Sequence, residues 1–290
     1  MTIKHLVLSS GSYKGFYMVG ALKYLLTNGF IELDNIESIY GTSVGALIGL
    51  VLCLKINFHD LVQYIINKPW NKLFNFTIDT AFDFYIKKGF LNVNFIKDIL
   101  KNLFKEARLS MDATLLDIYN YSNIRLNIFA VNLRKFTIEQ FSYKTHPNLS
   151  AIKAVYMSCS IPFVFEPEYF NGDCYIDGGL INPYPFDKCI NDLSNQNINI
   201  EEILGFRLMN DTLADISKKS NVIYFLTYII EKLLECSINK NDNKLKYELV
   251  IPTSIIELDA LQNLIINKDA RENLIKEGEK YGKLFLNYTP

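Results

Sequence analysis

The stretch Glu37-Ser38-Ile39-Tyr40-Gly41-Thr42-Ser43-Val44-Gly45-Ala46-Leu47-Ile48-Gly49-Leu50-Val51-Leu52-Cys53-Leu54 decides the fold. Its first four residues read as a short strand and Gly41 to Gly45 as a turn. From Val44 to Leu54 it reads as a helix, apolar all round and therefore buried. The small residues Gly45, Ala46 and Gly49 let that helix press against the strands beside it. The same order precedes it: Lys4 to Leu8 is a short apolar run, Ser9 to Gly15 a glycine-bearing loop, and Phe16 to Thr27 carries helical apolar spacing. Two strand-helix units in the first 55 residues predict an α/β fold, with a parallel sheet covered by helices.

Downstream, residues 58 to 108 read as helical around an aromatic-rich excursion at Phe74 to Phe90. Residues 126–133 and 138–141 read as a strand pair, 150–158 as a helix ended by Ile161-Pro162, and 174–176 as a short strand running into Asp177-Gly178-Gly179. A strand is expected at 203–208, an apolar helix at 221–235 and a polar loop at 239–244. A last helix opens at Asp269, with Leu274, Gly278, Tyr281 and Phe285 along one face. No composition break, linker or repeat interrupts the chain, so residues 1–290 read as one domain. A chain of about 300 residues buries roughly 75% of its unfolded surface, enough for a core without staples.

Composition removes several classes of function. The 30 Lys and Arg balance 31 Asp and Glu, which leaves no global field to draw the chain onto nucleic acid, and no basic run is interleaved with aromatics. The cysteines Cys53, Cys159, Cys174, Cys189 and Cys236 are odd in number and contain no C-x-x-C pair. They read as buried thiols in a reducing compartment rather than as a zinc or redox site. Leu6, Val7 and Leu8 are too short an apolar segment for a signal peptide. The longest apolar run, Val44 to Leu54, falls short of the roughly 18 residues of a membrane span. The expectation is an intracellular, cytoplasmic protein whose contact with lipid is peripheral.

Gly41-Thr42-Ser43-Val44-Gly45 is a G-x-S-x-G between a predicted strand and a predicted helix. At such an elbow the serine hydroxyl is exposed on a sharp turn and the next N–H, that of Val44, lies at a helix start where an oxyanion is stabilised. Ser43 is therefore a candidate nucleophile; the bland alternative is a helix-capping residue in a tight turn. A hydroxyl needs a base. Of the three histidines, His5 lies in the first strand and His59 near a helix start. A Ser-acid-His order would have to use His146 and leave the second half of the chain idle. Asp177, after a short strand and before Gly178-Gly179, is the better candidate, provided that a dry site favours its neutral form, since free Asp titrates near about 3.9. Gly11-Ser12-Tyr13-Lys14-Gly15, between strand and helix, can present backbone N–H groups and one cation to an anion. It matches neither nucleotide-binding glycine motif.

The order of these signals resembles the patatin-like phospholipase family, the Ser-Asp lipid acyl hydrolases. Ser10-Gly11-Ser12-Tyr13-Lys14-Gly15 is similar to the family's Gly-Gly-Gly-x-Arg/Lys-Gly loop, Gly41 to Gly45 to its elbow, and Asp177-Gly178-Gly179 to its Asp-Gly-Gly/Ala. Ser158-Cys159-Ser160-Ile161-Pro162-Phe163-Val164-Phe165-Glu166-Pro167 is similar to its Ala-Ser-x-Ala-Ile-Pro-x-x-Phe-x-Pro segment, and Asn273-Leu274-Ile275 with Gly278 to its last helix. The likeness covers residues 3–190 well and the remainder loosely. It implies a three-layer α/β/α fold with a mixed, mostly parallel sheet. It also implies Ser43 as nucleophile and Asp177 as base, with the loop from Gly11 through Ser12, Tyr13 and Lys14 to Gly15, together with Val44, around the oxyanion. Ser10 and Ser12 replace family glycines, and Lys14 stands where Arg is often found. A left-handed backbone at either serine carries strain of about 1 to 2 kcal/mol.

The implied reaction is hydrolysis of fatty-acyl esters of membrane phospholipid or lysophospholipid through an acyl-enzyme, with no cofactor and no metal. The one calcium-like run, Asn239 to Lys244, lacks the glycine and the distal glutamate of such loops. Phe74, Phe76, Phe82, Phe84, Tyr85 and Phe90 are candidates for an apolar mouth, and Tyr224, Phe225, Tyr228, Ile229 and Leu233 for a second apolar surface; core packing is the alternative for each. The sequence identifies no protein activator. A Ser-His-acid esterase, a lipid-binding protein that has lost its chemistry, and acyl transfer to an acceptor other than water are the competing readings.

Overall fold

Strands that are buried on both faces read as unbroken apolar runs, and alternate side chains along them serve two different cores. The computed structural model describes residues 2–73, 84–194, 199–210, 225, 226, 228, 229, 232, 245–253 and 258–288. Along β1 (His5–Leu8), β2 (Ser38–Thr42) and β3 (Arg125–Asn132), the side chains of Leu6, Leu8, Ile39, Ile128 and Ala130 enter the larger core. Those of Val7, Tyr40 and Phe129 enter a smaller one on the opposite face. The remaining strands are β4 (Thr137–Phe141), β5 (Glu168–Phe170), β6 (Asp173–Asp177), β7 (Ile203–Asn210) and β8 (Tyr247–Thr253).

The described helices, in chain order, are α1 (Gly15–Thr27), α2 (Val44–Cys53), α3 (Phe58–Asn67), α4 (Val93–Glu106), α5 (Leu115–Ser122), α6 (Ala151–Cys159), α7 (Phe186–Ser194), α8 (Leu258–Ile266) and α9 (Lys268–Tyr288). Residues of α1, α2, α4, α5, α6 and α9 build the larger core, and Phe186, Cys189 and Leu193 of α7 close the smaller one, so helices cover both faces. The expected three-layer arrangement is the observed one. No described helix is long and apolar enough to cross a membrane.

β8, β7, β1, β2 and β3 pair in parallel, while β3 takes β4 and β6, and β6 takes β5, in antiparallel fashion. The sheet is therefore mixed and mostly parallel. Ile128 of β3 pairs with Gly41 of β2 and with Phe141 of β4; Ala130 pairs with Asp177 of β6 and with Glu139 of β4. A strand has two edges and a residue has one partner on each. Hence β2 and β6 share the edge of β3 that faces away from β4. They meet end to end there, β2 finishing at Thr42 beside Phe129 and β6 at Asp177 beside Ala130. This junction brings residues 43 and 177 together.

Most differences from the sequence reading fall in the second half. The buried face of α9 runs through Arg271, Ile275, Gly278 and Gly282; of the line expected along it, Leu274, Tyr281 and Phe285 are only part-buried. The reason is backbone contact with α1. A Cβ on Gly278 would lie 2.0 Å from the Tyr17 carbonyl oxygen, so the seam follows glycines rather than the large side chains. The buried Arg271 donates to the carbonyls of Ile66 and Leu264, groups that the last turns of α3 and α8 leave unpaired. β5, β8, α5, α7 and α8 are additions. Of the helix expected at 221–235, positions 225, 226, 228, 229 and 232 are described and helical. The rest of that helix, the loop at 239–244, Cys236 and the aromatics Phe74, Phe76, Phe82 and Tyr224 with Leu233 lie outside the described residues.

Candidate active site

Between β2 and α2 the chain reverses at one residue, Ser43, with φ 55° and ψ −124°. The turn is this tight because its neighbours lack side chains. A Cβ on Gly41 would stand 2.6 Å from the Gly45 carbonyl, and one on Gly45 would stand 2.3 Å from the Leu8 carbonyl oxygen. Such a backbone costs about 1 to 3 kcal/mol and persists only where its surroundings hold it. Here the Ser43 N–H donates to Ser158 Oγ at 2.8 Å, and the Ser158 hydroxyl donates to the Phe129 carbonyl at 2.5 Å. Ser158, fully buried at the end of α6, thus ties the elbow to β3. Sequence reasoning placed it within a motif but assigned it no role; the signal available was its place two residues before Ser160-Ile161-Pro162.

The Ser43 hydroxyl donates to Asp177 Oδ2 at 2.6 Å, and Asp177 Oδ1 accepts the Gly179 N–H at 2.7 Å. Ser43 is 4% exposed and Asp177 5%. Burial pushes the Asp177 carboxyl up to about 7, against the opposing pull of its bonds from Ser43 and Gly179. The Cys159 thiol borders both groups; burial first, and the Asp177 charge second, hold its pKa well above the usual thiol value. It is therefore a neutral thiol rather than a rival nucleophile.

The first loop spans the two halves of the pair. A Cβ on Gly179 would lie 3.1 Å from the Ser10 side chain, and one on Gly15 would lie 2.4 Å from Val44 Cγ2. The Ser10 N–H donates to the Pro183 carbonyl. Ser12 to Lys14 form a single 3₁₀ turn in which the Lys14 N–H goes to the Gly11 carbonyl and the Gly15 N–H to those of Ser12 and Tyr13. The expected row of anion donors is therefore shorter than the loop, because its last two N–H groups close the turn. Those of Gly11, Ser12 and Val44 take no partner among the described residues. Lys14 is buried. Ser12 sits at φ 51°, the left-handed region natural to the glycine it replaces, whereas Ser10 does not. Ser12→Gly is expected to raise stability by about 0.5 to 1 kcal/mol, read as an upward shift of the denaturant midpoint.

Ser158→Ala leaves the Ser43 N–H and the Phe129 carbonyl without their shared partner. Its expected cost is about 1 to 3 kcal/mol of stability, with kcat lowered about tenfold and KM little changed as the elbow loosens. Thermal melts and steady-state kinetics on a soluble ester check both.

The histidines are elsewhere. His5 Nδ1 pairs with Ser38 Oγ at 2.7 Å at the opposite end of the strands, where burial lowers its pKa to about 4. His59 is exposed at the start of α3. His146 bonds to Thr145 Oγ1, lies 3.6 Å from Glu139 Oε1 and packs on Phe141. Of the expected apolar mouth, Phe84 and Phe90 stack on each other at 4.4 Å and Tyr85 is exposed; of the second surface, Phe225 and Ile229 are exposed and Tyr228 lies beneath Lys232. No group of metal-ligating side chains occurs among the described residues.

A mixed sheet between helices, with a serine on a strand-to-helix elbow facing a buried carboxylate, defines an α/β protein of the hydrolase kind. The family model described as patatin-like phospholipase matches residues 6–190, and the chain belongs to that family of lipid-hydrolysing enzymes. It is 29% identical over 250 residues to the uncharacterized protein R571 of Acanthamoeba polyphaga mimivirus, covering 81% of this chain and 82% of that one. It is 27% identical over 189 residues to the probable lipid hydrolase 463L of Invertebrate iridescent virus 6, covering 64% of this chain and 63% of the viral protein. Among solved structures it is similar in fold to VipD from Legionella pneumophila, with a TM-score of 0.57 at 15% identity, over 100% of this chain and 67% of VipD.

Proposed function

We propose that the chain hydrolyses fatty-acyl esters of phospholipids or lysophospholipids through Ser43 as nucleophile and Asp177 as its base. The observation that carries this reading is the 2.6 Å hydrogen bond from the Ser43 hydroxyl to a buried carboxylate whose pKa lies near neutrality. Family membership and the similarity to the probable lipid hydrolase of the iridescent virus support the substrate class.

In the first step Ser43 Oγ attacks the ester carbonyl and its proton passes to Asp177 Oδ2. In this reading the N–H groups of Gly11, Ser12 and Val44 donate to the developing oxyanion, and protonated Asp177 then gives its proton to the leaving alcohol. In the second step Asp177 takes a proton from water, hydroxide attacks the acyl ester, and the fatty acid leaves as Ser43 recovers its proton. Water competes here with any alcohol acceptor that reaches the acyl-enzyme. A carboxyl with a pKa near 7 suits the work: an ordinary aspartate, with its pKa at 3.8, is a base about a thousandfold weaker and would accept the serine proton less readily.

The test is release of fatty acid from phosphatidylcholine vesicles by purified protein in excess chelator. Labelling of Ser43 by a fluorophosphonate accompanies it, with binding but no labelling as the mark of a protein that has lost its chemistry. Because only the ionised carboxylate accepts a proton, kcat/KM is expected to rise with pH through about 7 and level off above it. A profile already flat from pH 5 upward contradicts the assignment of Asp177 as base.

A further inference from the structure

We propose that the turn between β3 and β4, Leu133-Arg134-Lys135-Phe136, is a membrane-seating tip that docks the protein on an anionic phospholipid bilayer with the Ser43–Asp177 site facing the lipid. Three observations carry it. The first is position. β3 passes Asp177 at Ala130, and the turn begins three residues further along. At roughly 3.3 Å per residue, the tip stands about 10 Å beyond the pair, at the end of the sheet where the site lies.

The second is the choice of residues. Phe136 is 64% exposed at φ 50°, a left-handed position that a bulky side chain adopts at a cost and that Gly, Asn or Asp fill easily. The neighbouring hairpin, β5 to β6, turns at the same end with Asn171 at φ 50° and Gly172 at φ 84°, the residues such a turn calls for. Nothing in the folding of the β3–β4 turn asks for an exposed phenyl ring there. Leu133, 45% exposed, flanks it, and Tyr169, 57% exposed, lies across Cys174 from Leu133.

The third is charge. Arg134 and Lys135 sit between the two apolar residues, each 3.7 Å from the single carboxylate of Asp173 and both mostly exposed. Pairs this long and this exposed are weak, and two cations against one acid leave a positive tip. Apolar side chains flanked by Lys and Arg are the pattern that enters the headgroup layer of anionic membranes. The lipid as partner rests on the hydrolase reading above; the geometry of the tip does not.

The experiment is sedimentation with phosphatidylcholine vesicles with and without phosphatidylserine, carried out in a Ser43→Ala background so that lipid is not consumed. Leu133→Ser with Phe136→Asn is expected to lower vesicle binding about tenfold or more. Arg134→Gln with Lys135→Gln is expected to remove most of the gain given by phosphatidylserine, about fivefold for each charge. With Ser43 restored, both double variants are expected to hydrolyse a dispersed short-chain ester at the original rate and to melt no earlier. Undiminished vesicle binding by both, or no vesicle binding by the intact protein, overturns the proposal. A protein that cleaves no ester but whose tip variants lose the vesicles keeps the tip and loses the hydrolase reading.

Discussion

Ser43→Ala is expected to lower kcat/KM on any ester by about 10⁴-fold or more, because the covalent route disappears and what remains is binding and oxyanion stabilisation alone. Its effect on stability separates chemistry from strain. Alanine keeps the φ of 55° and loses the donor to Asp177 Oδ2, so the buried carboxylate keeps only the Gly179 N–H. Ser43→Ala should therefore lose stability above pH 7, where the carboxylate is charged, and little at pH 5. Ser43→Gly is equally inactive but relieves the backbone, and should be about 1 to 2 kcal/mol more stable than Ser43→Ala at either pH. Denaturant melts of the two variants at both pH values make the comparison. Equal stability of the two would mean that the elbow stores no strain, and full activity in either would end the role of Ser43.

The early strands and helices were legible because each carries its own signal: an apolar run, then glycines, then an all-apolar helix. α2 is the clearest, and it begins at Val44 as its sequence suggests. α5 has a start signal as well, Thr114 and Asp117 capping each other, but its eight residues are too few for apolar periodicity to declare a helix. β8 is hidden differently. As the edge strand it turns Tyr247, Leu249, Ile251 and Thr253 inward while Val250 and Pro252 face out, so apolar residues on both sides mask the two-residue period. At the site, Ser43 and Asp177 were each nameable from local pattern, yet nothing local says that β2 and β6 abut along one edge of β3. That is a fact of register; beforehand, the poor fit of the histidines and the likeness to a family were what joined the two residues. The task of Ser158 was hidden for the same reason, since it depends on where α6 ends relative to Phe129.

Asp177→Asn is expected to abolish turnover and to stabilise the protein at alkaline pH. The amide is nearly the shape of the carboxylate and can still accept the Gly179 N–H, so the fold is retained, but it cannot take the Ser43 proton; a loss of about 10³- to 10⁴-fold in kcat follows. The carboxyl titrates at about 7 in the folded chain against 3.8 in the unfolded one. A raised acid binds its proton more tightly when folded, so its contribution to stability is fullest below 3.8, falls as pH rises toward 7 and stays lost above that. The ceiling on this loss is about 4 kcal/mol, from roughly three pKa units at 1.36 kcal/mol each. Asparagine carries no such penalty. At pH 8 the variant should be more stable than the native chain by about 2 to 4 kcal/mol, and at pH 4 the difference should shrink toward zero. Chemical denaturation at the two pH values reads it directly. A variant that is less stable at pH 8 would show that the folded carboxylate is well solvated, and with that the dry junction between β2 and β6 would cease to explain how an aspartate can deprotonate a serine.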